Sequence, residues 1–172
     1  NNLFVKNDNP NGNLDVRGIL DVKDNSTFKF YKNFKASGTV SFNGDVSNPN
    51  INMTAIYSAT ESGGESQNSK NIDIYLTITG TIMNMDLKWR IDVDGSQMAS
   101  TDPTGDAMSF IIFGRFASQL NSSQRVSLVS NVGANVGTAY ISNYVSSFLQ
   151  SYMPFILSTD INYVDTYGGT VA

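Results

Sequence analysis

The sequence predicts a mainly β domain followed by a helical segment. Three observations predict it. Apolar and polar residues alternate through most of the first hundred positions, the period of a strand with one buried face. One pattern is written twice: Gly44-Asp-Val46-Ser-Asn48-Pro-Asn-Ile51 recurs as Gly80-Thr-Ile82-Met-Asn84-Met-Asp-Leu87, 36 residues later. A repeat of this length suggests a supersecondary unit stacked on itself, here strand, turn, strand. The alternation stops at Ser100-Thr-Asp-Pro103, where a helix start is written. The chain thus divides into a β repeat region at 1–100, a helical segment at 101–155 and the start of further strands at 156–172.

In order, residues 3–6 form a short edge strand, and Asn7 to Asn13 a turn dense in Asn, Asp, Pro and Gly. Leu14, Val16, Gly18, Leu20 and Val22 alternate with Asp15, Arg17, Asp21 and Lys23, a half-buried strand. Asp24-Asn-Ser reads as a turn, and Thr27 to Lys32 as the next strand, with Phe28 and Phe30 on one face. Val40 and Phe42 lead into the first repeat turn and Ile51, Met53 and Ala55 lead out of it. Leu76 and Ile78 lead into the second, and Leu87, Trp89 and Ile91 lead out. Between the copies, Ser58 to Asn71, fourteen residues with Gly63-Gly64, reads as a hairpin insertion.

Asp102 suits a helix N-cap, Pro103 the first helical position, and Asp106 the positive end of the helix. Ala107 to Phe113 is apolar on most sides and has to dock on something. Gly114-Arg115 ends or kinks it. Asn121 and Gln124 are spaced as a capping box. Val126, Val129, Gly133, Val136, Tyr140, Tyr144, Phe148 and Tyr152 follow at helical spacing, stopping before Pro154. Unbroken, residues 122–152 span about 46 Å, and Gly133 and Gly137 invite a break. Leu157, Thr159, Ile161 and Tyr163 alternate again.

Composition narrows the chemistry. The 172 residues are 40% apolar and only 15% charged, too apolar for disorder. The formal charge is −4, with eleven scattered Lys and Arg, which makes no basic face for a nucleic acid. There is no Cys and no His, so disulfides, thiolate or imidazole metal sites and Ser-His-Asp or Cys-His catalysis are excluded. Asp92 with Asp94 and Asp102 with Asp106 are the candidate carboxylate pairs, and solvated surface charge accounts better for the first. Asp92-Val-Asp-Gly95 lacks the later acidic ligands of a calcium loop. No Gly-rich phosphate loop is written. Trp89 lies on the apolar side of its strand and fits a core residue better than a stacking platform. No run of 18 apolar residues occurs.

Apolar strand faces need a cover. A second sheet would give a sandwich, the helices a layered α+β domain, and no cover a trough for lipid. Periodicity alone favours the sandwich.

The duplicated Gly-x-[Val/Ile]-x-Asn pattern, the Ser100-Thr-Asp-Pro103 start leading to Phe110-Ile-Ile-Phe-Gly114-Arg115, and the amphipathic helix with strands after it occur in one order. In that order they resemble the C-terminal domain of the TamB family, the AsmA-like translocation and assembly module of bacterial envelopes. The likeness covers roughly residues 36–165. The Asn- and Tyr-rich style resembles a Bacteroidetes member. The resemblance implies a β-taco: a folded open sheet with an apolar interior, joined by one or two C-terminal amphipathic helices. It implies periplasmic localisation bridging inner and outer membranes, phospholipid as cargo, and a BamA-like outer-membrane barrel of the TamA or TamL type as partner. It implies neither catalytic residues nor cofactor. The family's C-terminus usually carries more strands, so the ending Thr170-Val-Ala172 reads as truncated.

On this reading the lipid-binding groove is lined by Phe28, Phe30, Val40, Phe42, Ile51, Met53, Ile74, Leu76, Ile78, Leu87, Trp89 and Ile91. A charged substitution at Phe42 or Leu76 is expected to block lipid with the fold retained. The alternatives are a chaperone-like docking module for outer-membrane barrel proteins, working by strand addition at an open edge, and a structural β-sandwich with no ligand.

Overall fold

The alternating segments become strands joined in sequence order. A computed structural model of the chain describes residues 2–6, 15–61, 69–132 and 147. The strands are β1 (Asn2–Lys6), β2 (Asp15–Phe30), β3 (Lys32–Asp45), β4 (Asn50–Glu61), β5 (Lys70–Thr81), β6 (Asn84–Val93) and β7 (Ser96–Gln97). Each pairs antiparallel with the next, so the described residues form one open meander of seven strands.

The register explains the alternation. Val40 lies opposite Leu20 on one side and Ile51 on the other, and Ile51 continues to Gly80 and Met85. The neighbouring row is Val22, Gly38, Met53, Ile78 and Leu87, and the next runs Ala36, Ala55, Leu76 and Trp89. Each row crosses the strands at right angles, and all three lie on one face because the side-chain period is two.

Three expectations change. Asp24-Asn-Ser is not a turn between strands: β2 runs through it, with the register slipping between Val22 and Ser26. A bulge absorbs the extra residues there, and bulges bend a strand and raise its twist. The reversal comes at Tyr31 (φ 44°), so that Phe28 faces Phe34 across a tight hairpin. The insertion between the repeats is also shorter than read, since β4 extends to Glu61 and β5 starts at Lys70. The sandwich does not form: the described strands make one sheet, and a helix joins its apolar face instead.

Gly38 sits beside the bulge, at φ +142°, with its Cα against β4. A Cβ there would fall on the Asn52 carbonyl oxygen and 2.6 Å from the Met53 Cα. Gly80 (φ +94°) is similar, with the Asn84 carbonyl where a Cβ would be. Bulges and glycine kinks are the devices that curve a sheet.

The helical signals hold where they are described. Helix α1 (Pro103–Phe113) starts at Asp102, whose Oδ1 accepts from the Gly105 N–H at 2.9 Å. It ends at Gly114, in the left-handed conformation, whose N–H donates to the Phe110 carbonyl. Asp106 Oδ2 accepts from the Ser100 hydroxyl at 2.6 Å and Oδ1 from the Ala117 N–H, tying together the chain on both sides of the helix. The capping box at Asn121 and Gln124 forms in both directions, at 2.9 and 3.1 Å, and opens α2 (Ser122–Val132). The predicted stripe is not the buried face in this part, because Val126 is 66% exposed and Leu128 packs on the core instead. The stripe from Gly133 on, the turn at 7–13 and the strand at 157–163 lie outside the described residues.

Candidate functional site

The apolar face is the one extended feature that the strands build in common. Of the twelve residues expected to line a groove, all but Leu87 are buried, and Leu87 is partly so. The structure brings them into a single cluster. It adds residues that were not among those twelve: Val16, Phe34, Ala36, Ala55 and Ile72 from the sheet, and Ala107, Met108, Phe110 and Ile111 from α1, whose apolar run was expected to dock. Ile72 has the same parity as Ile74 and Leu76, so strand alternation could have found it. Phe34 sits between Lys32 and Lys35, and its place follows from the hairpin at Tyr31, which the sequence hides.

The cover is uneven. At the end of the sheet holding Phe30, Ile72 and Val93, α1 packs on β6, and Gln119 Nε2 donates to Glu61 Oε1 at the tip of β4. Phe28, Phe30 and Phe34 pack against one another there, with Phe28 and Phe34 edge-on at 6.3 Å between centroids. At the opposite end lie the repeat turns. Leu3, Val5, Leu20, Val22, Val46, Ile82, Met85 and Leu87 gather there, and all of them are only partly buried. Partly exposed apolar side chains therefore border the edge marked by the repeat, although Val16, Val40, Phe42 and Ile51 beside it are buried and Tyr57, Ala59, Val93 and Met98 are partly exposed toward the other end.

The repeat turns are tied to each other. Asn48 Oδ1 accepts from the Met83 N–H at 3.0 Å, and the Ile82 N–H donates to the Pro49 carbonyl at 3.3 Å. Asp45 Oδ1 accepts from the Ser47 N–H (2.8 Å) and hydroxyl (2.6 Å), and these bonds hold the Asp45 carboxyl below the usual carboxylate range. Aligned in sequence, the two copies turn differently: residues 46–49 connect β3 to β4, and only Ile82-Met83 connects β5 to β6.

The other face is polar. Arg90 lies 4.0 Å from the Tyr75 ring centroid and pairs with Asp92 at 3.2 Å. The candidate carboxylates have structural partners. The Asp92 side chain is only 13% exposed, rather than fully solvated as read from the sequence; it stands opposite Asp73, its Oδ2 pairs with Arg90, and its Oδ1 is buried with no hydrogen-bond partner among the described residues. Asp94 Oδ1 accepts from the Asn71 N–H at 2.8 Å, and Asp102 and Asp106 wire α1 as described. Among the described residues no three Asp, Glu, His or Cys gather as a metal would require, and no helix is long and apolar enough to cross a membrane. Trp89 lies in the core row with Leu76.

The expected retention of fold with a charge at Phe42 or Leu76 does not fit this geometry. Leu76 is fully buried and Phe42 is 5% exposed, so a carboxylate at either would have no route to water.

Compared with known proteins, the chain matches no curated protein and no solved structure. A family model does match it, that of the TamB C-terminal domain, over residues 1–171. That family is an envelope-associated transport and assembly module with a role in outer-membrane assembly; it associates with the TamA outer-membrane barrel and is not known as enzymatic. The one-sided, open β sheet described above is thus that of a member of the TamB family, to which this chain belongs.

Proposed function

We propose that the apolar face binds phospholipid acyl chains and passes them along the sheet, as one section of a periplasmic groove bridging the inner and outer membranes. The observation that carries this reading is the set of apolar rows crossing the strands, partly exposed along the repeat-turn edge. Each methylene moved from water onto such a face gains about 0.8 kcal/mol. Backbone groups within the sheet are paired with each other, so the face offers a chain no unsatisfied polar group. Rows that repeat from strand to strand give similar contacts at each step, and a chain moving across the strands meets no single deep well. In this reading the described strands of the 1–100 region form the groove wall, and α1, at the start of the 101–155 segment, closes one end of it.

The test is site-specific photo-crosslinking. Probes at Leu87 and Val22, on the partly exposed rows, should recover phospholipid, and probes at Thr77 and Lys88, on the polar face, should not. Lipid recovered equally from both faces, or from neither, would remove the reading.

A second reading, docking of an outer-membrane barrel of the TamA or TamL type, is favoured by one observation. Among the described residues the meander ends at β1 on one side and β7 on the other, so the sheet has two edges and is not closed. An added strand could pair there. Pull-down of a barrel protein, with and without the residues after Pro154, tests it.

A further inference from the structure

On the face opposite the apolar rows, at the repeat-turn end, Ser41, Asn43, Asp45, Asn48, Asn50 and Thr81 enclose a half-open cavity of about 510 Å³. The register creates it. Asn50, the first residue of β4, stands opposite Ser41, so β3 runs on through Asn43 and Asp45 with no β4 partner beside them. The chain then folds back with Pro49 buried and Val46 packed on the core, which leaves the polar residues around the gap.

Two bonds already fix the rim: Ser47 on Asp45, and the Met83 N–H on Asn48. The Ser41 hydroxyl and the carboxamides of Asn43 and Asn50 take no part in them. The Thr81 hydroxyl, in the wall of the gap, is sealed from solvent and has no hydrogen-bond partner among the described residues, an arrangement rare in folded proteins.

We propose that this cavity is a binding site for a neutral saccharide. Hydroxyls and carboxamides each donate and accept, as vicinal sugar hydroxyls and N-acetyl groups require. The lining itself has no Lys or Arg, and Arg17, opposite Asn43 on β2, is paired with Asp15, which disfavours a phosphate or sulfate group; the one large apolar neighbour is Ile19, opposite Ser41, too little for an acyl chain. One carboxylate among neutral oxygens is a poor set for calcium, which takes 6–8 oxygen ligands with several charged. The volume falls within the ~300–1,000 Å³ of small-ligand sites. Asp45, held ionised by Ser47, remains an acceptor in mildly acidic conditions. The site lies on the face away from the proposed lipid path, so neither depends on the other.

The test is amide NMR of the whole chain titrated with chitotriose, maltotriose and, separately, inorganic phosphate. Saturable shifts at residues 41–50 and Thr81 with one or both saccharides, and none with phosphate, are expected. Binding of chitotriose alone assigns recognition to the N-acetyl group, and binding of both assigns it to the hydroxyls. Asn50→Leu and Ser41→Ala should each weaken binding about tenfold, the loss of one well-made hydrogen bond, with the thermal midpoint and lipid crosslinking at Leu87 unchanged. Ser41→Ala removes one hydroxyl and leaves the backbone ladder of β3 intact, so it separates lost recognition from lost fold. Absence of saccharide shifts, shifts that survive both substitutions, or phosphate binding at the same residues would overturn the proposal.

Discussion

A carboxylate placed at Leu76 and one placed at Leu87 should fail in different ways. Leu76 is fully buried between Ala55 and Trp89. Removing a buried leucine costs about 2–5 kcal/mol, and a polar group without partners in its place about 1–3 kcal/mol more. The sum, about 3–8 kcal/mol, approaches the whole stability of a typical domain, about 5–15 kcal/mol. Leu87 is partly exposed at the repeat-turn edge, between Asp86 and Lys88. Full burial of a leucine is worth about 1.5–3 kcal/mol, so a rim leucine contributes about 1 kcal/mol, and its replacement carboxylate reaches water. An acyl chain at that edge would lose contact over two or three methylenes, about 2 kcal/mol or roughly 30-fold in affinity. Circular dichroism melts and mass spectrometry of co-purified phospholipid read the two effects. Leu76→Asp should be unfolded or strongly destabilised, and Leu87→Asp should be folded and depleted of lipid. A folded Leu87→Asp with its full complement of phospholipid would refute the groove, and a Leu76→Asp as stable as the parent would refute the packing.

Three further predictions concern the frame of the site. Gly38→Ala and Gly44→Ala both place a side chain at positive φ, about 1–3 kcal/mol each, but only at Gly38 would the new methyl strike the β4 backbone. Gly38→Ala should therefore melt lower than Gly44→Ala, by about 2–4 °C for each further kcal/mol; equal midpoints would count against the close approach. Asp102→Ala should cost about 0.5–2 kcal/mol through loss of the cap, seen as a lower urea midpoint and faster amide exchange at Gly105, whereas Asp102→Asn should retain most of it. The Ser47 bonds depress the Asp45 pKa, so their contribution to the turn is present above the ordinary carboxylate range and is lost as pH falls through the lowered value. An acid titration followed at the Ser47 amide should give a midpoint below that of an ordinary aspartate, and Ser47→Ala should raise it.

What the sequence revealed was periodicity, and what it concealed was closure. Strict alternation placed Val40, Ile51, Leu76, Ile78 and Trp89 on one face, because each side chain's face depends only on its parity within an unbroken strand. Parity is lost wherever a strand gains residues. The slip between Val22 and Ser26 looks like a turn in sequence, with Asp24-Asn-Ser as good turn formers, and only pairing with β3 shows that β2 continues. Phe34 was missed for another reason: its parity matches Val40 and Phe42, but the reversal at Tyr31 that starts β3 is not written in the sequence. The helix starts were legible since capping is local: Asp102 and Asn121 meet partners three residues away. The cover on the apolar face was not, because a second sheet, a helix or a lipid all satisfy the same alternation. The polar cavity was illegible too, as Ser41 and Thr81 meet only through the registers of β3 with β4 and β4 with β5.

The repeat itself poses the sharpest remaining question, whether its asparagine stacks one unit on the next. Asn48 and Asn84 occupy equivalent positions in the two copies, yet their surroundings differ. Asn48 belongs to the longer turn and reaches across to the Met83 N–H of the second copy, while the Ile82 N–H reaches back to Pro49. Asn84 is exposed and begins β6 opposite Thr81. If the bond from Asn48 holds the two turns side by side, Asn48→Ala leaves the Met83 N–H to solvent. The net loss is that of one hydrogen bond, about 0.5–1.5 kcal/mol. Native-state hydrogen exchange should then show faster exchange at Ile82 and Met83 with little change at Leu76 and Ile78, since the strands keep their own ladders. Asn84→Ala should leave the Ile82 and Met83 amides as they were. Equal effects from the two substitutions would mean that the asparagines serve only their own turns, and the two units would then be neighbours in one sheet without being locked at their corners.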